Sequence, residues 1–209
     1  MPTPDPWLNI PLDDYEAHMN AHAVGQLRVL SELFAEALAS CRPESLAILG
    51  IAGGNGLEHV DPSVTRRVVG IDINPDYLDT LRQRHGARLN LELHCCDLAQ
   101  QSLMAEPVQL VHAALIFEHA GAGRCLENAV RLVAPGGSLS VILQLPAESE
   151  PNVAATPYAS IRTLAGHFSL IDPEHLCSAL AQSGFHLNHP TNRALPAGKA
   201  FWMGVFSRT

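Results

Sequence analysis

The chain has 209 residues, of which 47% are hydrophobic and only 16% charged, and its formal net charge is -8. That length supplies one doubly wound sheet with helices on both faces but hardly two cores, and the apolar content argues against disorder over most of the chain. Scattered Lys and Arg residues leave no basic surplus for a phosphate backbone, which argues against a nucleic-acid partner, and no apolar run is long enough to span a membrane.

Five cysteines, with Cys95 and Cys96 adjacent, make a poor disulfide framework and suit a reducing compartment. Met1 to Asp14 carries prolines and acids without the basic and apolar regions of a signal peptide, so a cytoplasmic location is expected. From Asp13 to Ser40, Leu27, Leu30, Phe34, Ala37 and Leu38 recur at helical spacing, predicting one long helix or two joined near His22. Ser45 to Gly50 reads as a strand, followed by a Gly-rich turn and a short helix from Leu57 to Val60. Arg67 to Ile71 is a second strand ending in Asp72, and Pro75 opens a helix running to about Arg84.

Leu89 to His94 and Val108 to Ala113 supply two further strands. Phe117 to Val133 is helical, interrupted or started late around Gly121 and Gly123. Ala134-Pro135-Gly136-Gly137 is expected to stop that helix before a fifth strand, Ser138 to Leu143. Pro146 to Gly166 is Pro- and Ala-rich and longer than a usual connection, as segments that cover a site are. Pro173 to Ser183 is a helix capped by Asp172 and closed by Gly184, after which Phe185 to His189 and Ala200 to Ser207 read as antiparallel strands around a Pro-Ala-Gly turn. Strands and helices alternate five times, which predicts a parallel sheet.

The segment Gly50-Ile51-Ala52-Gly53-Gly54-Asn55-Gly56 follows a strand and opens a helix, where a ligand can approach the backbone closely and helix N-H groups face it. Asp72 ends the second strand, where a carboxylate can accept hydrogen bonds from two adjacent ribose hydroxyls. Asp97 follows the third strand, where a side-chain oxygen can accept from an exocyclic amine. Each of these taken alone also has a structural reading, as a tight bend, a helix cap and a loop acid. Together they lie at three successive strand ends along one edge of the sheet, where ligands bind. Gly54 and Gly56 are not followed by a third glycine at dinucleotide spacing, and no P-loop Lys-Ser or Lys-Thr follows the turn.

From Ser45 to Arg208 the chain resembles the class I S-adenosylmethionine-dependent methyltransferases, through LAILGIAGGNG, VVGIDINPDYL, HCCDLA, LVHAALIFEH, LVAPGGSLSVILQLP and AFWMGVFSR. The resemblance implies an α/β fold. Its sheet would be doubly wound, mostly parallel and seven-stranded, with the last strand antiparallel, helices on both faces and an N-terminal helical lid (residues 1–43) on a Rossmann-like core (44–209). It implies S-adenosylmethionine as cofactor, with Asp72 on the ribose, Asp97 at adenine and the first turn at the methionine part. The implied binding set is Gly50, Ile51, Ala52, Gly53, Asn55, Gly56, Asp72, Ile73, Cys96, Asp97, Leu98, Ala113 and Ala114, joined by Tyr15 and Met19 from the lid. The family's first motif begins with an acid and then has a glycine, where this chain has Gly50 and Ala52; Glu58 or the N-terminal helix is the candidate replacement for that acid.

Methyl transfer needs a nucleophile held in line with the sulfonium methyl group and little else from the protein, so a dedicated base is optional. His18 and His119 are the candidate bases. His18 and His22 stand four apart but lack further ligands, and His94, Cys95 and Cys96 alternate faces, so no metal site is expected. A small-molecule methyl acceptor is expected. Two other functions stand as alternatives: a non-catalytic module binding S-adenosylmethionine or S-adenosylhomocysteine, to which Gly50 and Ala52 lend weight, and, ranked lowest on glycine spacing, an NAD-linked oxidoreductase. Oligomeric state is not readable from the pattern.

Overall fold

Each apolar run that ends in a turn becomes a strand of a single sheet in the computed structural model, which describes residues 5–147, 151–188 and 190–209. Five strands, β1 (Ser45–Leu49), β2 (Arg67–Asp72), β3 (Leu91–Cys95), β4 (Val108–Ala114) and β5 (Val133–Gln144), pair in parallel in the order β3-β2-β1-β4-β5. Beyond β5 the sheet continues through β6 (Phe185–Leu187), β7 (Thr191–Ala194) and β8 (Ala200–Arg208). β8 lies antiparallel to β5 from Ser138↔Ser207 to Gln144↔Phe201.

The strands are covered on both faces, which is why they read as apolar runs without alternation. One face packs on α4 (Ile116–Ala120), α5 (Arg124–Leu132) and α7 (Pro173–Gln182) through Phe117, Cys125, Ala129, Leu132, Leu176 and Leu180. On the opposite face, α2 (Gln26–Cys41) and α3 (Pro75–His85) bury Phe34, Leu78 and Leu81 against Leu46, Ile48 and Val68. α2 also sets Val29, Leu30 and Leu33 against Ile142, Met203 and Val205. Asn74 caps α3 by accepting from Asp76 N-H (3.0 Å), and Asp172 caps α7 by accepting from Glu174 N-H (2.9 Å).

The N-terminal helical pattern is two helices, α1 (Leu12–Asn20) and α2, separated at Gly25 with φ +59°. The helix expected from Leu57 to Val60 is a three-residue 3-10 turn, Leu57–His59. α5 does end just ahead of Ala134 to Gly137, at Leu132, but the segment lies inside β5 and not before it. The ladder with β4 steps from Val108↔Val133 to Leu110↔Ser138, so three extra residues bulge out of β5 there. The strand at Thr191–Ala194 is absent from the sequence reading. It continues the line of β6 along the same edge of β8, as Phe185↔Arg208 is followed by Thr191↔Met203 and Ala194↔Ala200. Pro190 has no N-H to give the ladder and breaks that line in two, so β6 and β7 together form the seventh strand of the sheet. His189, the predicted end of β6, lies outside the described residues.

Candidate functional site

The carboxyl ends of β1 to β5 open onto one edge of the sheet, and the turn after β1 sits at its centre. Gly50 and Ile51 both donate their N-H groups to the Ile71 carbonyl, at 2.8 and 3.0 Å, tying the turn to β2. Ala52 holds φ +46°, a left-handed conformation that costs an L residue about 1–2 kcal/mol, and in it donates its N-H to Asp72 Oδ2 at 2.9 Å. At Gly50, with φ +68°, a side chain is disfavoured twice over: the left-handed backbone would be strained, and a Cβ would lie 2.9 Å from Ile116 Cδ1, which would have to shift. A Cβ on Gly53 would strike the Glu16 and Arg84 side chains.

Asp72 is only 7% exposed, and its other oxygen accepts from Asn74 N-H at 3.0 Å. Burial, outweighing these backbone hydrogen bonds, raises its pKa from 3.8 to about 6. Asp97 Oδ1 accepts from Ala99 N-H at 2.9 Å, closing a loop that presents Leu98 and Ala99 to the same space. At the β4 end, Glu118 is buried with Oε1 accepting from Gln144 N-H (2.8 Å) while Oε2 has no partner among the described residues, and burial raises its pKa to about 7. His119 has its Nδ1 enclosed and likewise unpartnered among the described residues. Burial, with His167 nearby, lowers its pKa to about 4.

Two segments roof this edge. The first runs from Asp5 through a 3-10 turn at Pro6–Asn9 into α1, and four contacts pin it down. Asn74 Nδ2 donates to the Trp7 carbonyl (2.9 Å), and the Tyr77 hydroxyl donates to the Ile10 carbonyl (2.8 Å). Arg84 holds Glu16 through both carboxylate oxygens (2.5 and 3.1 Å). Ser160 Oγ donates to Asp14 (2.6 Å), joining this segment to the second roof, α6 (Ala159–Arg162) with its neighbouring residues. Ile10, Ile161 and Leu164 bury one another where the two roofs meet.

Beneath them lies a chamber of about 130 Å³. Of the residues proposed from sequence, Tyr15, His18, Met19, Gly50, Ala52, Asp72, Ile73, Cys96, Asp97, Leu98, Ala114 and His119 line it. Ala113 points into the core instead, Gly56 packs under Phe34, and Ile51, itself packed in the core, joins Gly53 and Asn55 at a second cavity that meets the chamber at Tyr15, Gly50, Ala52 and Ala114. Glu58 lines that second cavity and accepts from Ser31 Oγ at 3.0 Å. His18 is buried, whereas His22 is exposed, and among the described residues no three His, Cys, Asp or Glu side chains converge as a metal site would require. Sequence reasoning missed Trp7, Ile116, Ile161, Leu164 and Phe168, which complete the chamber walls.

Residues 48–137 match a family model described as a methyltransferase domain. No curated protein sequence matches the chain. The N-methyltransferase NodS from Bradyrhizobium japonicum WM9, solved with S-adenosyl-L-homocysteine, superposes with a TM-score of 0.62 at 19% identity, covering 99% of this chain and 93% of that one. Magnesium protoporphyrin IX methyltransferase ChlM from Synechocystis PCC 6803, also with S-adenosylhomocysteine bound, superposes with a TM-score of 0.68 at 12% identity over 94% of this chain and 93% of its own.

Proposed function

We propose that the chain is a class I S-adenosylmethionine-dependent methyltransferase that methylates a small molecule held in the chamber between the two roof segments. The observation that carries this reading is the buried Asp72 carboxyl, set on the chamber wall by the Ala52 and Asn74 N-H groups. A carboxylate already held in place binds a pair of hydroxyls with little reordering.

The residues present fit the cofactor in order along the strand ends. Asp72 would hold the ribose hydroxyls, and Asp97 with Leu98 and Ala99 the adenine. The side-chain-free Gly50, beside Ala114, leaves backbone open to the methionine part. Glu16 lies against Gly53 and is the carboxylate placed to serve the amino-acid end in place of an acid at position 50. When bound, S-adenosylmethionine supplies a methyl group on a positively charged sulfur. The protein's part is to orient the methyl acceptor over the ends of β4 and β5, to exclude water with the roof, and to offer His119 and His18 as uncharged hydrogen-bonding groups near neutral pH. Burial, with Lys199 nearby, lowers the pKa of His18.

The 209 residues act as one domain, and the cytoplasm is the compartment that suits five unpaired cysteines. No helix among the described residues is long and apolar enough to cross a membrane. Isothermal titration with S-adenosylmethionine, S-adenosylhomocysteine and NAD tests the assignment. Binding of the first two that is lost in Asp72→Ala is the expected result; binding of NAD alone would refute it.

A further inference from the structure

We infer that the methyl acceptor is an uncharged, flat ring bearing a single protic heteroatom, gripped by apolar walls and one hydrogen bond; this rests on the methyl-transfer reading above. The chamber is chemically divided. Its carboxylates lie toward β2 and β3, where Asp5 stands close enough to Asp72 to raise its pKa and Asp97 follows β3. Over β4 and β5 the wall changes character.

There a row of rings runs across the roof: Tyr15 to Trp7 at 5.4 Å, Trp7 to His119 at 4.9 Å and His119 to Phe168 at 5.0 Å. Each pair meets edge to face, at 77°, 86° and 79°, so one face in each pair is taken by a neighbour's edge, unlike the open-faced cage that selects a cation. Ile116, Val153, Ile161 and Leu164 supply aliphatic walls. Among the described residues, no side chain ionised at neutral pH lines this end. Its polar groups are the Tyr15 hydroxyl, His18, Gln26, His119, Gln144 and Asn152; Lys199 stands near His18 with its ammonium donating to the Asn152 carbonyl at 2.9 Å.

A cation here would meet the Lys199 ammonium, and an anion would have to draw that ammonium from the Asn152 carbonyl, whereas a flat ring would keep its dispersion contacts on every side. One protic group on that ring has a ready partner. With Nδ1 of His119 enclosed, Nε2 is the nitrogen that an incoming group can reach. Gln144 has its Nε2 already donating to the Asn152 carbonyl at 2.9 Å, which fixes the amide as part of the wall.

The test uses the full chain saturated with S-adenosylhomocysteine, titrated by calorimetry at pH 7 with four probes of one shape: 4-methylphenol, 4-methylbenzoate, 4-methylbenzylammonium and 4-methylcyclohexanol. The phenol is expected to bind at least tenfold more tightly than each of the others. Phe168→Lys, a change at a half-buried position, is expected to keep its affinity for S-adenosylhomocysteine and to shift preference at least tenfold toward the benzoate. If the benzoate, the ammonium or the cyclohexanol matches the phenol in the parent protein, or if no probe binds while S-adenosylhomocysteine does, the inference about the methyl acceptor is overturned and the methyl-transfer reading stands. If S-adenosylhomocysteine itself does not bind, both readings fall.

Discussion

Replacing Asp72 with asparagine separates what this carboxyl contributes to binding from what it costs the fold. In the folded chain its pKa is about 6, against 3.8 for a free side chain. That difference corresponds to about 3 kcal/mol. Between those two values the folded chain still holds the proton while the unfolded chain has released it, so stability falls by about 3 kcal/mol as pH rises through the window and stays lower above it. Asparagine does not titrate, but its amide can accept from only one of the Ala52 and Asn74 N-H groups, at a cost of about 1–3 kcal/mol. The variant is therefore expected to match the parent roughly at pH 7 and to be clearly less stable at pH 4. Urea denaturation at both pH values measures the difference, and the other groups that titrate in this range are common to both proteins and cancel. Binding moves the other way: the variant should lose about 100-fold or more in affinity for S-adenosylhomocysteine, and the parent's affinity should weaken below about pH 6 as the carboxyl takes up its proton. A stability difference between parent and variant that does not change with pH would refute the reasoning.

Three further predictions follow from groups around the site. His112 is buried beside Phe34, with ring centroids 4.6 Å apart, and burial lowers its pKa from 6.5 to about 4. Its contribution is complete above pH 6.5 and is lost as pH falls toward 4, by about 3 kcal/mol, so His112→Phe should flatten that part of the acid-denaturation profile. Glu16→Gln should change stability by less than about 1 kcal/mol, because the Arg84–Glu16 pair is partly exposed, yet speed S-adenosylhomocysteine release several-fold in stopped-flow fluorescence of Trp7; an unchanged release rate would rule out Glu16 as the carboxylate serving the amino-acid end. Gly50→Asp should lower stability by about 2 kcal/mol or more, from the positive φ and the Ile116 contact together, and Ile116→Ala in the same chain should recover part of it in thermal melts.

How legible the site was in the sequence depends on how its residues are brought together. Gly50 to Gly56, Asp72 and Asp97 sit at the ends of strands whose apolar runs announce them, and a parallel sheet aligns such ends along one edge whatever the connections do. The antiparallel β8 was readable for the same reason, being an apolar run with a turn before it. β7 was not: Thr191, Asn192, Arg193 and Ala194 bury little, and only their pairing with β8 makes them a strand. Trp7 and Phe168 lie 161 positions apart on irregular segments, and what brings both onto His119 is tertiary packing, which no local periodicity encodes.

The same distinction explains the two departures in the first turn. Position 52 needs a left-handed backbone and an N-H aimed at Asp72, and Ala52 supplies both at a cost in strain, so the turn works through its backbone and tolerates the added methyl group. Position 50 is different, because Ile116 from the start of α4 occupies the volume that a side chain there would need. An acid at Gly50 would have to displace the Ile116 side chain at the start of α4, the helix that carries His119 to the chamber end over β4. The missing acid and the position of His119 are thus linked by one packing contact. If that link holds, Gly50→Asp should disturb binding of the methyl acceptor as well as of the cofactor, while Glu16→Gln disturbs the cofactor alone; titrating both variants with S-adenosylhomocysteine and then 4-methylphenol separates the two, and a Gly50→Asp protein that binds the phenol normally would break the link.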